Sequence, residues 1–264
     1  MSRTLYKTMR PAIVTILAGA VSVLLAQAPP AFDVASVKVA DGPTIGIGLQ
    51  RSGGRITWTA TRATLVGYAF QVPYYRIMGL GAERLWIAIQ AETDPSASEA
   101  QIRLMLQKLL ADRLQLVVHR ETKDRQVFAL TVAKGGPKMK LVKPDEAVSP
   151  LPKGILRGMT PPDGQMVGFV LNNHPSYIAR RVTMQQVADA LFTDTETIVL
   201  DKTGLPGAFD FELNFVSDTS PTLNGDAPSL FMALQEQLGL KLEKQIAPVE
   251  MLVVDRMEKT PTAN

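Results

Sequence analysis

The chain has 264 residues, no cysteine, and 28 basic against 25 acidic side chains. The missing cysteine excludes disulfides, zinc thiolates and a thiol nucleophile. The near balance of charge gives no general electrostatic case for nucleic acid, which is therefore not an expected partner.

Residues 1–28 read as a signal peptide. Arg3, Lys7 and Arg10 form a basic start, Ala12 to Leu25 is apolar, and Ala26-Gln27-Ala28 is an A-x-A cleavage site. The apolar run is short for a membrane span of about 20 residues, and no Cys follows it for lipid attachment. The expectation is an exported chain, periplasmic or extracellular, that touches membrane only through the leader if that stays uncleaved. Losing the leader removes three bases and no acid, leaving 25 of each sign. The remaining length suffices for one large core or two small ones.

Residues 29–137 read as a first α+β unit. Phe32 to Lys38 alternates with the period of a strand. Ile45 to Leu49 and Ile56 to Thr59 flank Arg51-Ser52-Gly53-Gly54, a hairpin signal. The next helix holds Leu65, Tyr68, Ala69 and Val72. Trp86 to Ala91 reads as a strand. Ser98-Glu99-Ala100-Gln101 has the form of a capping box. Ile102, Met105, Leu106, Leu109 and Leu110 then follow the stripe of a helix with one buried face. From Leu114 the period becomes two, through Leu116 and Val118. Arg120 to Arg125 is polar and suits a loop, and Val127 to Val132 is rich in β-formers. Ser98 to Lys134 therefore reads as a helix followed by a two-stranded hairpin.

Residues 138–175 form a proline- and glycine-rich connector, with room for one strand around Met166 to Leu171. Residues 176–264 read as a second α+β unit. Thr183-Met184-Gln185-Gln186 is another capping box, and Met184, Val187, Ala190 and Leu191 follow it. Phe209 to Phe215 is the strand matched by analogy with Trp86 to Ala91. Ser217 to Pro228 is a polar loop. Leu230, Phe231, Leu234 and Leu238 share a helical face. Leu240 and Leu242 open a strand, and Met251 to Val254 is the returning one.

The two units echo each other. Trp58 to Leu65 aligns without a gap on Tyr177 to Met184, which pairs Thr64 with Thr183. In each, a strand runs into a threonine suited to an N-cap. Leu106-Gln107 matches Leu234-Gln235, and Val132-Ala133-Lys134 matches Val254-Asp255-Arg256. The fold class expected is α+β, with two related units, each a mixed or antiparallel sheet packed by two helices.

Several words are familiar in order. They are Phe32-Asp33-Val34-Ala35-Ser36-Val37-Lys38, the run from Leu109 to Lys123, Val132-Ala133-Lys134-Gly135-Gly136-Pro137-Lys138, the run from Asp201 to Phe211, and the run from Ala233 to Glu243. With them the chain resembles the soil-associated family of unknown function DUF3738 over nearly the whole mature length. Trp58-Thr59-Ala60 and Asn172-Asn173-His174 depart from that pattern. The resemblance implies an exported protein of Acidobacteria-like soil bacteria. Similar domains occur behind membrane metallopeptidases of the BlaR type. The half-repeat also looks like the short N-terminal domain of secretins and TonB-dependent receptors, a protein–protein module; that likeness is analogy of fold pattern alone.

Chemistry-bearing motifs are few. Asp201-Lys202-Thr203-Gly204 looks like the phosphorylated-aspartate motif of P-type ATPases. Leu205 replaces the expected Thr, however, and the segment reads as a strand-ending turn. His119 and His174 are the two histidines. With no His-x-x-x-His or His-Glu-x-x-His spacing, a zincin site is excluded. Gly46-Ile47-Gly48 lacks the third glycine of a nucleotide loop. Asp210 and Glu212 share a strand face, as an acid pair of a glycosidase would or as a solvated face does. Trp58, Tyr68, Tyr74, Tyr75 and Trp86 cluster in the first unit. Together with His119 they form the candidate binding patch, while aromatics in such a cluster also fill cores.

No cofactor, metal site or catalytic residue is assigned. The expected function is a non-catalytic exported module binding an envelope or extracellular protein. One alternative is an envelope hydrolase or glycan-binding enzyme using Asp210, Glu212 or His119. The other is a sensor domain working with a membrane metallopeptidase.

Overall fold

The computed structural model describes residues 30–43, 48–143, 145–146, 161–171, 174–216 and 227–262. The expected signal peptide, most of the Gly46-Ile47-Gly48 stretch and Asn172-Asn173 lie outside the described residues. So does most of the loop from Ser217 to Pro228. The protein is α+β, with three four-stranded sheets and four helices among the described residues.

The first sheet takes its strands from the N-terminal half. They are β1 (Val34–Ala40), β2 (Gln50–Ser52), β3 (Arg55–Thr61) and, after helix α1 (Arg62–Phe70) and the short β4 (Ile77–Met78), β5 (Trp86–Glu92). The order is β1-β5-β3-β2, antiparallel throughout. Gly53-Gly54 joins β2 to β3, with Ser52 opposite Arg55, as the hairpin signal predicts. Alternation along β3 and β5 sends Ile56, Trp58, Ala60, Ile87 and Ile89 to the buried side. Helix α2 (Glu99–Leu114) starts at a complete Ser98/Gln101 capping box. All five expected stripe residues are buried, with Leu114 beside them. The leucines of this stripe join a core with Leu65, Val66 and Ala69 of α1.

The second sheet corrects the expected hairpins. After α2 the chain forms one 16-residue strand, β6 (Val117–Val132), straight through the polar run Arg120 to Arg125. In the third sheet, β7 (Lys140–Val142), β11 (Ala208–Asn214), β9 (His174–Val182) and β8 (Gln165–Leu171) lie in that order, all antiparallel. Both β7 and β8 come from the proline-rich stretch. Between β9 and β11 stand helix α3 (Met184–Thr195) and the short β10 (Val199–Asp201). Helix α4 (Leu230–Ala233) passes into a π turn over Leu234–Leu238. The chain ends in the 17-residue β12 (Leu240–Arg256), which replaces the second expected hairpin.

β6 and β12 pair antiparallel along their whole length, from Leu240 opposite Val132 to Arg256 opposite Val117. The flanking strands are β10, parallel to β6, and β4, parallel to β12. The polar stretch is held as strand by its unbroken backbone ladder to β12, and Arg120 bonds Glu250 across the ribbon. Pro248 is tolerated because β4 reaches only Leu252 and Val253, so β12 there has a neighbour on one side alone.

This ribbon threads both cores. Leu252 and Val254 belong to the core under the first sheet, and Phe128, Leu130 and Leu240 to the core under the third. Between them Val127, Ile198, Val249 and Met251 form a smaller cluster, flanked by Tyr75 and Phe192.

Local expectations shift in four places. The N-cap of α1 is Thr61, whose side chain accepts the Thr64 N–H at 3.2 Å; Thr64 is not itself the cap. Val72 lies beyond the end of that helix. Ala188, not Ala190, carries the buried phase of α3. Phe231 is 46 % exposed and meets Phe128 edge-on instead of joining Leu230 in the core. No helix among the described residues is long and apolar enough to cross a membrane.

Candidate binding site

The corner where β3 enters α1 opens onto a cleft of about 460 Å³. Thr61 to Thr64 form one wall, Leu80 to Trp86 the other except for Ala82, and Tyr74 stands at the edge. The volume suits a side-chain-sized or small-molecule ligand.

The walls follow from local sequence. Thr61 closes β3 opposite Trp86, so both side chains rise from the same sheet face. The Thr61 cap starts α1 at Arg62, and Leu65, Val66 and Ala69 set the buried phase of that helix. Arg62 occupies the first position of the same phase, and is 6 % exposed. Its backbone N–H donates to Leu85 O at 3.2 Å and its Nη2 to Leu80 O at 2.8 Å. The loop before β5 is thereby tied to the helix. Gly79 turns that loop at φ +89, where a Cβ would sit 2.2 Å from Val254 O of β12. Only glycine fits there.

The charge on Arg62 has no close partner among the described residues. Its Nε is buried without a partner, and among the described residues no carboxylate forms an ion pair with it. A buried charge without a counterion costs several kcal/mol. The carboxylate nearest in the lining, Glu83, is held by Lys259 at 2.6 Å. That bond and the charge of Lys259 keep Glu83 below the usual carboxylate range, with a smaller contribution from Arg62. Arg84 is exposed on the same wall. The cleft thus combines two guanidinium groups, the Thr61 and Thr64 hydroxyls 2.8 Å apart, and the rings of Tyr74 and Trp86.

The six residues of the predicted patch divide. Tyr74 and Trp86 line the cleft. Tyr75 sits behind Tyr74, ring centroids 5.5 Å apart, and stacks on Phe192 of α3 at 4.0 Å and 11°. Its hydroxyl donates to Asp189 Oδ1 at 2.8 Å, and burial together with that bond pushes the phenol up. Trp58 is buried beneath α1, edge-on to Tyr68. Tyr68 is covered by Arg103 at 5.1 Å. His119 lies on β6 with Nδ1 2.9 Å from Asp255 Oδ2, both side chains about half exposed.

The family model of a protein of unknown function, DUF3738, matches residues 63–257. The chain belongs to the DUF3738 family. No curated protein and no solved structure matches it.

The other motifs of this DUF3738 chain have local duties. Asp201 ends β10 and its Oδ1 accepts the Thr203 N–H at 2.9 Å and hydroxyl at 2.7 Å, which is a side-chain-closed turn. Asp210 Oδ1 accepts the Arg181 N–H at 2.8 Å, at a bulge where Arg181 takes φ 47. Glu212 accepts from Asn214 at 3.2 Å. Asp210 and Glu212 are on the third sheet and His119 on the second, so the strands do not gather these three residues. His174 opens β9.

Sequence reasoning missed Arg62, Arg84 and the two threonines. The signal was present for one of them. Arg62, Leu65, Val66 and Ala69 have i, i+3, i+4, i+7 spacing, which places an arginine on a buried helical face. Arg84 carries no periodic pattern that would single it out.

Proposed function

We propose that this DUF3738 protein is an exported, non-catalytic binding module that takes hold of an envelope or extracellular protein at the β3–α1 cleft. The observation that carries the reading is the lining itself: two guanidinium groups that form no ion pair among the described residues, beside two partly exposed aromatic rings. Arginine and aromatic side chains are the groups that dominate recognition surfaces. Export follows from the leader over residues 1–28, and a soil-bacterial origin fits the family words quoted above.

Two related halves, 29–137 and 176–264 with a connector over 138–175, belong to the same reading. β4 follows α1 and pairs parallel with β12, while β10 follows α3 and pairs parallel with β6. The spacing from Val132 to Val254 equals that from Arg125 to Ala247, which face each other in the ribbon. An axis through that pair would exchange the halves and place Thr61 on Thr183, the two helix caps, and Val132 on Val254; the gapless match of Trp58 to Leu65 on Tyr177 to Met184 has a different spacing and does not follow from it.

The test is co-purification of tagged mature protein from solubilised envelope, comparing wild type with a Tyr74→Ala, Arg84→Glu double variant. Both positions are exposed, so folding is preserved. A partner retained by wild type and lost by the variant supports the reading. A set of co-purifying proteins that does not change between the two contradicts it.

A further inference from the structure

The chemistry of the cleft narrows what fills it. We infer that the cleft takes a ligand presenting an oxyanion on a flat apolar body, with Arg62 and Arg84 facing the anion and Trp86 and Tyr74 against the body. The inference rests on the binding-module reading above.

Three observations lead to it independently. Arg62 is nine-tenths buried, lines the cleft, and has an Nε without a partner; among the described residues it forms no ion pair, and Glu83, held by Lys259, acts on it only at longer range. A guanidinium keeps its charge at any working pH, so it cannot relieve the cost by losing a proton. An anion entering from solvent supplies what the protein does not.

The second observation is internal to the fold. Helix α3 begins the same way as α1, with a threonine cap and a first residue on the buried phase. In α3 that residue is Met184, followed by buried Val187, Ala188 and Leu191. In α1 the same spacing reads Arg62, Leu65, Val66 and Ala69. Packing alone is therefore met by an apolar side chain at this position. The arginine is an addition that packing does not require.

The third is the rest of the lining. Glu83, the carboxylate in the wall, is neutralised by Lys259, so the cleft keeps a positive excess from Arg62 and Arg84. Guanidinium forks match carboxylate and phosphate oxygens two at a time. The Thr61 and Thr64 hydroxyls bond each other and leave one O–H to donate on the same wall. Tyr74 and Trp86 offer ring faces to an aromatic or apolar body.

The test uses the two tryptophans of the chain. Trp58 is buried in the core, whereas Trp86 lines the cleft. Mature protein is titrated with phenylacetate, phenyl phosphate and the neutral phenylacetamide, reading tryptophan fluorescence, with Trp86→Phe as the blank. The expected result is a saturable change with an anion, absent for the amide and weakened by added salt. Arg84→Gln is expected to weaken it about tenfold, and Arg62→Met to abolish it. The preferred anion tells a carboxylate source, such as a chain terminus, from a phosphate source. If Arg62→Met fails to fold, Arg84→Gln decides alone, and undiminished binding there overturns the inference. Equal binding of phenylacetamide overturns the oxyanion and leaves the binding cleft standing. No response to any probe, with the protein folded, also overturns the oxyanion; the co-purification test then judges the module reading separately.

Discussion

At the scale of single residues, Arg62 and Asp194 hold buried charge in different ways. Arg62 is a permanent charge kept out of water with no ion-pair partner among the described residues. Its replacement by Met, the residue that α3 uses at the same helical position, is expected to raise stability by on the order of 1 kcal/mol. The gain appears in urea denaturation as a higher midpoint with unchanged slope. Asp194 can instead take up a proton. Burial raises its pKa, and the bond from the Tyr177 hydroxyl at 2.5 Å only partly opposes this. Burial and Asp194 in turn push the Tyr177 phenol up, so it remains the donor. With the folded value of Asp194 above the unfolded one, its contribution favours folding at low pH and is lost as pH rises through the folded value. Asp194→Asn should therefore be more stable than wild type at neutral pH, with the gap closing as pH falls through the carboxylate range. A gap that widens on acidification would contradict the assignment. Arg62 was legible in the spacing of Leu65, Val66 and Ala69, whereas Asp194 declares itself only once its contact with Tyr177 is known.

At the scale of elements, α2 was the most legible part of the chain. Its capping box and five-residue stripe are written in consecutive, local spacing, and both appear as read. The long strands were less legible. Arg120 to Arg125 carries loop composition, and what makes it strand lies more than 100 positions away, in the ladder from Leu252 to Ala247. Local propensity contains no record of such a partner. The same holds for β7, whose three residues become a strand only beside β11. Where elements meet tightly, single atoms decide. Gly239 ends the π turn at φ +67, and a Cβ there would lie 1.9 Å from Gly136 O in the turn after β6. Gly239→Ala combines strain with backbone overlap. A loss on the order of 3 kcal/mol is expected in denaturant unfolding. A loss below that of an ordinary surface change would show that the two turns do not press together.

At the scale of the whole molecule, the β6–β12 ribbon makes one cooperative body from two cores. Each strand contributes to both, and the central cluster around Val127 and Val249 closes the junction. Unfolding is expected to be a single calorimetric transition, with calorimetric and van't Hoff enthalpies in agreement. Phe192→Ala, which removes the stack on Tyr75 across the junction, should cost on the order of 2 kcal/mol of stability, seen as a lower midpoint, without splitting the transition. Two separate transitions would contradict the shared ribbon. The cleft lies beside this junction, since Tyr74 on its rim also meets Phe192 at 5.8 Å.

Recognition at that rim is the central claim, and the absence of native cysteine allows it to be tested in the cell. Tyr74→Cys, carrying a photo-crosslinker, reports what approaches the cleft. Glu236→Cys, exposed on the π turn of the other half, is the control. The account predicts one dominant crosslinked partner from position 74 that is missing from position 236 and lost when Arg84→Glu is added. The same products from both positions, or none from either in protein shown to be folded and exported, would contradict it.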